Sequence, residues 1–135
     1  MNRTKFNAED WLKPRRATKG SAGYDFVAPD DIIIPAKWKK EFDTGVSVEV
    51  EEGYVLLLFI RSSLGSKGIT LTNNVAVIDS DYRQNIRGFL LNETNDPYII
   101  KKGERYMQGV ILPYFTTVDD DATEERTGGV GSTGK

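Results

Sequence analysis

The segment TGVSVEVEEGYVLLLFI, residues 44–60, changes its period once. Val46, Val48 and Val50 alternate with Ser47 and Glu49, the two-residue repeat of a strand that buries one face. Glu52-Gly53 is a turn pair, and Tyr54–Ile60 after it is apolar enough for a central strand.

The same pattern continues on either side. DDIIIPAKW (30–38) is a short β-branched run stopped by Pro35. ITLTNNVAVI (69–78), IRGFLLNE (86–93), YIIKKG (98–103) and YMQGVILPYF (106–115) are further strand candidates. Turn signals at Asn95-Asp96-Pro97 and Lys102-Gly103 separate the last three. Short strands at regular spacing predict an all-β chain, an antiparallel sandwich, jelly roll or barrel. SSLGSKG (62–68) is the one helix candidate, with Ser62 or Ser63 as N-cap and Gly68 as the residue past its end.

The chain has 135 residues, enough for one domain with its own core, and an ordinary balance of 39% hydrophobic and 28% charged residues. It has neither cysteine nor histidine. Disulfides, thiolate metal sites, Ser-His triads and imidazole zinc sites are therefore excluded, and acid–base chemistry falls to carboxylates, Lys or Tyr. A net charge of −2 argues against a broad nucleic-acid surface. Nothing resembles a signal peptide or a membrane span, so a soluble cytoplasmic protein is expected. Residues 1–117 read as the β domain. Residues 118–135, VDDDATEERTGGVGSTGK, are acidic and then Gly-rich, and are expected to form a mobile arm.

Chemistry concentrates in a few stretches. NNVAVIDSDYRQNI (73–86) places Asp79, Asp81 and Tyr82 on a bend next to Val75, Val77 and Ile78, which read as buried β positions. Asp25 lies just inside a strand. Arg61, Ser62 and Ser63 stand at a helix start, a setting that favours anions. Arg105 and Gln108 share one strand. Singly, each has a plain structural explanation: a turn acid, a surface ion pair, loop acids, a surface amide.

Their order resembles that of the five motifs of the trimeric dUTP diphosphatases, the dUTPases. The pieces are SAGYDF, RSSLGSKG, NNVAVIDSDY, KGERYMQGVILP and RTGGVGSTG, which together run from Ser21 to Gly134. The resemblance implies a jelly-roll subunit, a homotrimer with shared active sites, and hydrolysis of dUTP with Mg²⁺. It implies that residues 73–86 form a β-hairpin that receives deoxyuridine, with backbone groups reading uracil and Tyr82 packed under the sugar. Asp79 would activate the water. Arg61, Ser62, Ser63, Asn73, Ile78, Arg87, Gln108, Arg126, Gly131, Ser132 and Thr133 would bind substrate. Asp25 would meet the metal through water.

The chain departs from the family pattern at Val130, where Phe is usual, and in an arm one residue shorter. Ala76, Glu104 and Gly109 also stand where Gly, Asp and a branched residue are common. Two alternatives remain at this level: a dCTP deaminase, which needs a Glu near the cytosine amino group, and a regulatory binding protein on the same fold with a protein partner.

Overall fold

Every strand pairing among the described residues is antiparallel. The computed structural model describes residues 2–127. It contains β1 (Lys5–Asn7), a 3-10 turn (Asp10–Leu12), β2 (Tyr24–Val27), β3 (Ile32–Ile34), β4 (Lys39–Asp43), β5 (Ser47–Glu49), β6 (Tyr54–Ile60), α1 (Ser62–Gly65), β7 (Ile69–Leu71), β8 (Ala76–Ile78), β9 (Arg87–Asn92), β10 (Tyr98–Ile100) and β11 (Arg105–Pro113). One sheet has the order β2-β11-β6-β8 and a second the order β4-β9-β7, while β1-β5 and β3-β10 form two-stranded ribbons. This is the predicted jelly-roll arrangement.

The alternation at residues 46–50 is realised. Val46, Val48 and Val50 are buried, and Gly53 takes φ +89°, which a turn into β6 requires. On β6, Leu56 and Leu58 point into the core with Phe26, Met107, Ile69 and Leu90. Gly109 is explained by the same packing. A Cβ there would lie 2.8 Å from Leu56 Cδ1 and 3.1 Å from Leu58 Cδ2, so the two leucines fill the space that a branched residue would need.

Two local expectations are corrected. Val75 and Val77 are not buried; they are 38% and 60% exposed. β8 is the edge strand of its sheet, so Val77 points to the outer face and not to the core. Neither Ser62 nor Ser63 caps the helix. Arg61 is the N-cap, without a side-chain cap bond, and both serines lie within α1. The C-cap is Ser66, and Gly68 lies two residues further on with φ +85°. Among the described residues, no helix is long and apolar enough to cross a membrane.

Candidate active site

Residues 73–86 leave the three-stranded sheet after β7, add β8 to the four-stranded sheet and return to the three-stranded sheet at β9. Thr72 N–H donates to Phe89 C=O at 2.9 Å, closing the base of the excursion between β7 and β9. The outgoing leg, β8, pairs with Leu56–Leu58 of β6. The return leg is clasped to the turn between β4 and β5: Ile86 N–H donates to Val46 C=O, and Thr44 donates to Ile86 C=O through both its N–H and its hydroxyl. The two legs therefore do not form the paired hairpin that the resemblance implies. Each is held by a different neighbour, and the space between them stays open.

That space is a cavity of about 190 Å³, lined by Asn73, Ala76, Val77, Ile78, Asp79, Tyr82, Ile86, Arg87, Phe89 and Arg126. On an edge strand, alternate residues direct both N–H and C=O away from the partner strand. β8 thus offers free backbone donors and acceptors, the kind of pattern that a planar heterocycle can match. Tyr82 is almost wholly buried, and its hydroxyl donates to Asn85 C=O at 3.0 Å. Arg87 is anchored by Glu41 at 3.1 Å.

Asp79 and Asp81 flank the turn beside the cavity. Arg126 Nη2 donates to Asp79 Oδ2 at 2.6 Å, and its Nε donates to Asp81 Oδ1 at 2.8 Å. The guanidinium carbon lies 5.6 Å from the Tyr82 ring centroid. The bond from Asp81, then the charges of both acids, raise the Arg126 pKa above its ordinary value. The sequence leaves Asp81 open as a loop acid; its spacing of two from Asp79 is the signal that both carboxylates can meet one guanidinium.

A second group forms at the far end of β6. Asp25 Oδ1 lies 3.9 Å from Arg61 Nε, and Asp25 Oδ2 lies 3.5 Å from Arg105 Nη1. Gln108 stands beside Asp25 and Phe59 in the strand register. Its side chain occupies the room left by Gly23, where a Cβ would come within 2.5 Å of Gln108 Oε1. Ser62 and Ser63 follow, exposed, at the start of α1. None of Asp25, Arg61, Ser62, Ser63 and Gln108 lines the cavity. β8 pairs with residues 56–58 and Arg61 comes three to five positions later, roughly 10–16 Å along an extended strand. Within one chain the expected site residues thus fall into two groups. Gly131, Ser132 and Thr133 lie outside the described residues.

Between the two groups runs the outer face of the four-stranded sheet. The register puts Val77, Leu57 and Val110 in one row, Val55 with Leu112 in the next, and Phe59 with Gln108 and Asp25 at the end. The face is apolar, and Val77 and Leu112 stand exposed on it.

No three acidic side chains converge on a cation position among the described residues. Asp25 is a single carboxylate with two arginines at loose distances, so its oxygens retain lone pairs for water. This donor set fits a Mg²⁺ ion carried by phosphates and water, and not one caged by the protein.

The dUTPase family model matches residues 9–134. The deoxyuridine 5'-triphosphate nucleotidohydrolase of Nautilia profundicola is 42% identical over 133 residues, covering 94% of each chain. The crystal structure of the Streptococcus mutans dUTPase superposes with a TM-score of 0.78 at 34% identity, over 83% of this chain and 97% of that one. A mutant dUTPase from phage phi11 of S. aureus, known for coordination of a structural Mg(II) ion, shares the fold with a TM-score of 0.77 at 23% identity, over 90% and 97% of the two chains.

Proposed function

Because the chain belongs to the dUTPase family, we propose that it hydrolyses dUTP to dUMP and pyrophosphate, with uracil held between the two legs of residues 73–86. The observation that carries this reading is the open cavity with free strand edge on one side, Tyr82 on another and Asp79 beside it. Uracil presents O2, N3–H and O4 in one plane, and the unpaired edge of β8 offers complementary groups near Asn73 and Ile78. Cytosine inverts part of that pattern and would leave buried groups unmatched, at about 1–3 kcal/mol each. The Tyr82 ring packs under the sugar and leaves no volume for a 2′-hydroxyl.

Asp79 holds a water in line with the α-phosphorus and accepts its proton as the P–O bond forms. The bond from phosphorus to the bridging oxygen breaks, and pyrophosphate leaves. Such base assistance contributes ~10²–10⁴-fold. Arg126 exchanges the Asp79 carboxylate for phosphate oxygens when the triphosphate enters, which frees Asp79 for the water. Arg61, Ser62, Ser63 and Gln108 bind the phosphates. Mg²⁺, when bound, neutralises phosphate charge and orients the chain of phosphates. Asp25 would help to hold it, through water.

The two groups of residues belong to one site when the outer face of the four-stranded sheet packs on another copy. A head-to-tail contact that closes gives a ring, and a homotrimer is the reading that the family supports. Residues 118–135 then act as an arm that closes over the nucleotide and excludes bulk water, with Gly131, Ser132 and Thr133 at the phosphates. The deaminase alternative is weaker, since no Glu lines the cavity among the described residues. Incubation with dUTP, dCTP and UTP in the presence of Mg²⁺ tests the proposal. Pyrophosphate from dUTP, with the other two far poorer, is expected; ammonia from dCTP at a similar rate would overturn it.

A further inference from the structure

The return leg carries a link that the reaction itself does not use. Asp43, the last residue of β4, accepts hydrogen bonds from Asn85 Nδ2 at 3.1 and 3.3 Å and from Gly45 N–H at 2.8 Å. Gly45 has φ +76°, and the Asp43 carboxylate holds that left-handed turn in place. Asn85 in turn offers its backbone C=O to the Tyr82 hydroxyl at 3.0 Å. A continuous path therefore runs from the β4–β5 turn, through one carboxylate and one amide, to the phenol in the cavity wall. Tyr82 N–H is tied separately to Asp79 C=O at 3.1 Å. The ring is thus fixed at its backbone end by the turn and at its hydroxyl end by Asn85.

We propose that Asp43 is a positioning residue for sugar selection, holding Asn85 and through it the Tyr82 ring at the depth that excludes a ribose. The inference rests on the reading of Tyr82 as the surface under the sugar. The geometry supports the link in three ways. Asp43 lies opposite Arg87 in the β4–β9 register, so its carboxylate is carried to the return leg by strand pairing. Its bonds to Asn85 use both carboxylate oxygens, which restricts the amide plane. The neighbouring clasp, Thr44 on Ile86, runs to backbone C=O and not to the Asn85 amide or the Tyr82 hydroxyl. Loosening Asn85 lets the ring tip while leaving the leg attached. The cost falls on discrimination between dUTP and UTP, because a tipped ring leaves room for the 2′-hydroxyl.

The test compares kcat/KM for dUTP and UTP in Asp43→Ala, Asn85→Ala, the double variant, Asp43→Asn and Tyr82→Ala. One hydrogen bond of ordinary net worth corresponds to roughly a two- to twelvefold effect. The dUTP-to-UTP ratio is expected to fall by that factor in Asp43→Ala and in Asn85→Ala. The double variant should fall no further than either single change, as coupled residues do. Asp43→Asn, which keeps one acceptor oxygen, should recover part of the ratio. Tyr82→Ala should lose most of it. A merely structural Asp43 would lower the melting temperature and leave the ratio unchanged, and that result would overturn the proposal. Additive losses in the double variant would do the same. If Tyr82→Ala leaves the ratio unchanged, the sugar reading itself fails; if Tyr82→Ala collapses it and Asp43→Ala does not, only the role of Asp43 fails.

Discussion

The excursion at residues 73–86 and the group at the end of β6 hold their side chains by different means. Asp79, Asp81 and Tyr82 stand on a turn whose legs are clasped to separate sheets, and a cavity remains between them. Asp25 and Gln108 stand on adjacent paired strands, and Arg61 follows the end of a third, so register fixes their spacing. One region supplies an opening, two carboxylates and Arg126. The other supplies Arg61, Arg105 and an amide on a rigid edge. Neither holds all the residues of the proposed site, and this division is why a second copy of the chain is part of it.

The difference can be broken at either end. Asp79→Asn keeps the size of the side chain and removes its charge. Turnover should drop ~10²–10⁴-fold while affinity for a non-hydrolysable dUTP analogue holds, as read by single-turnover kinetics and calorimetry. Arg61→Ala acts on the other region. A charge-assisted contact of about 1.5–3 kcal/mol is lost, so kcat/KM should fall by roughly 10–150-fold, mostly through weaker nucleotide binding. It also leaves Arg105 beside Asp25, at 3.5 Å.

Smaller changes sharpen the contrast. Asp81→Asn removes the charge nearest Arg126 Nε but keeps an acceptor, so a few-fold change in KM is expected and turnover should stay near normal. Gly23→Ala presses a methyl group against the Gln108 amide. Because that amide is the free end of a flexible side chain, it should swing away without unfolding the strand. A two- to tenfold loss in kcat/KM with the melting temperature nearly unchanged is the expected result, at about the worth of one hydrogen bond. A large fall in melting temperature would mean that Gly23 serves packing and not the placement of Gln108.

The strands were legible because their signal is local. Alternation at Val46, Val48 and Val50, and turns at Gly53 and Gly103, need no knowledge of the tertiary fold. The proposed site residues rest on the ordered motifs that carry the family resemblance. What sequence did not reveal depends on neighbours far along the chain. Val77 reads as buried by its own strand, but its place on a sheet edge puts it outside. The return leg is fixed by Thr44 and Asp43, some 40 residues earlier, so the splayed legs could not be told from a paired hairpin. Arg61 became the N-cap because its backbone ends β6 against Tyr106, which no local cap preference encodes. The pairing of Asp81 with Arg126 spans 45 residues and follows from the return of the arm.

The most direct test of a divided site is complementation. Asp79→Asn chains lack a working excursion and Arg61→Ala chains lack a working cation group. At dUTP concentrations below KM, Asp79→Asn should be nearly inactive alone and Arg61→Ala reduced roughly 10–150-fold. Refolded together in equal amounts, they should form mixed oligomers in which about a quarter of the sites draw both intact parts from different copies, if each site is shared between neighbours. Activity on dUTP should then rise well above the sum of the separate variants, towards a quarter of the unaltered level. Mixed oligomers that form, as seen by mass, and yet show no such gain would contradict a site shared between copies.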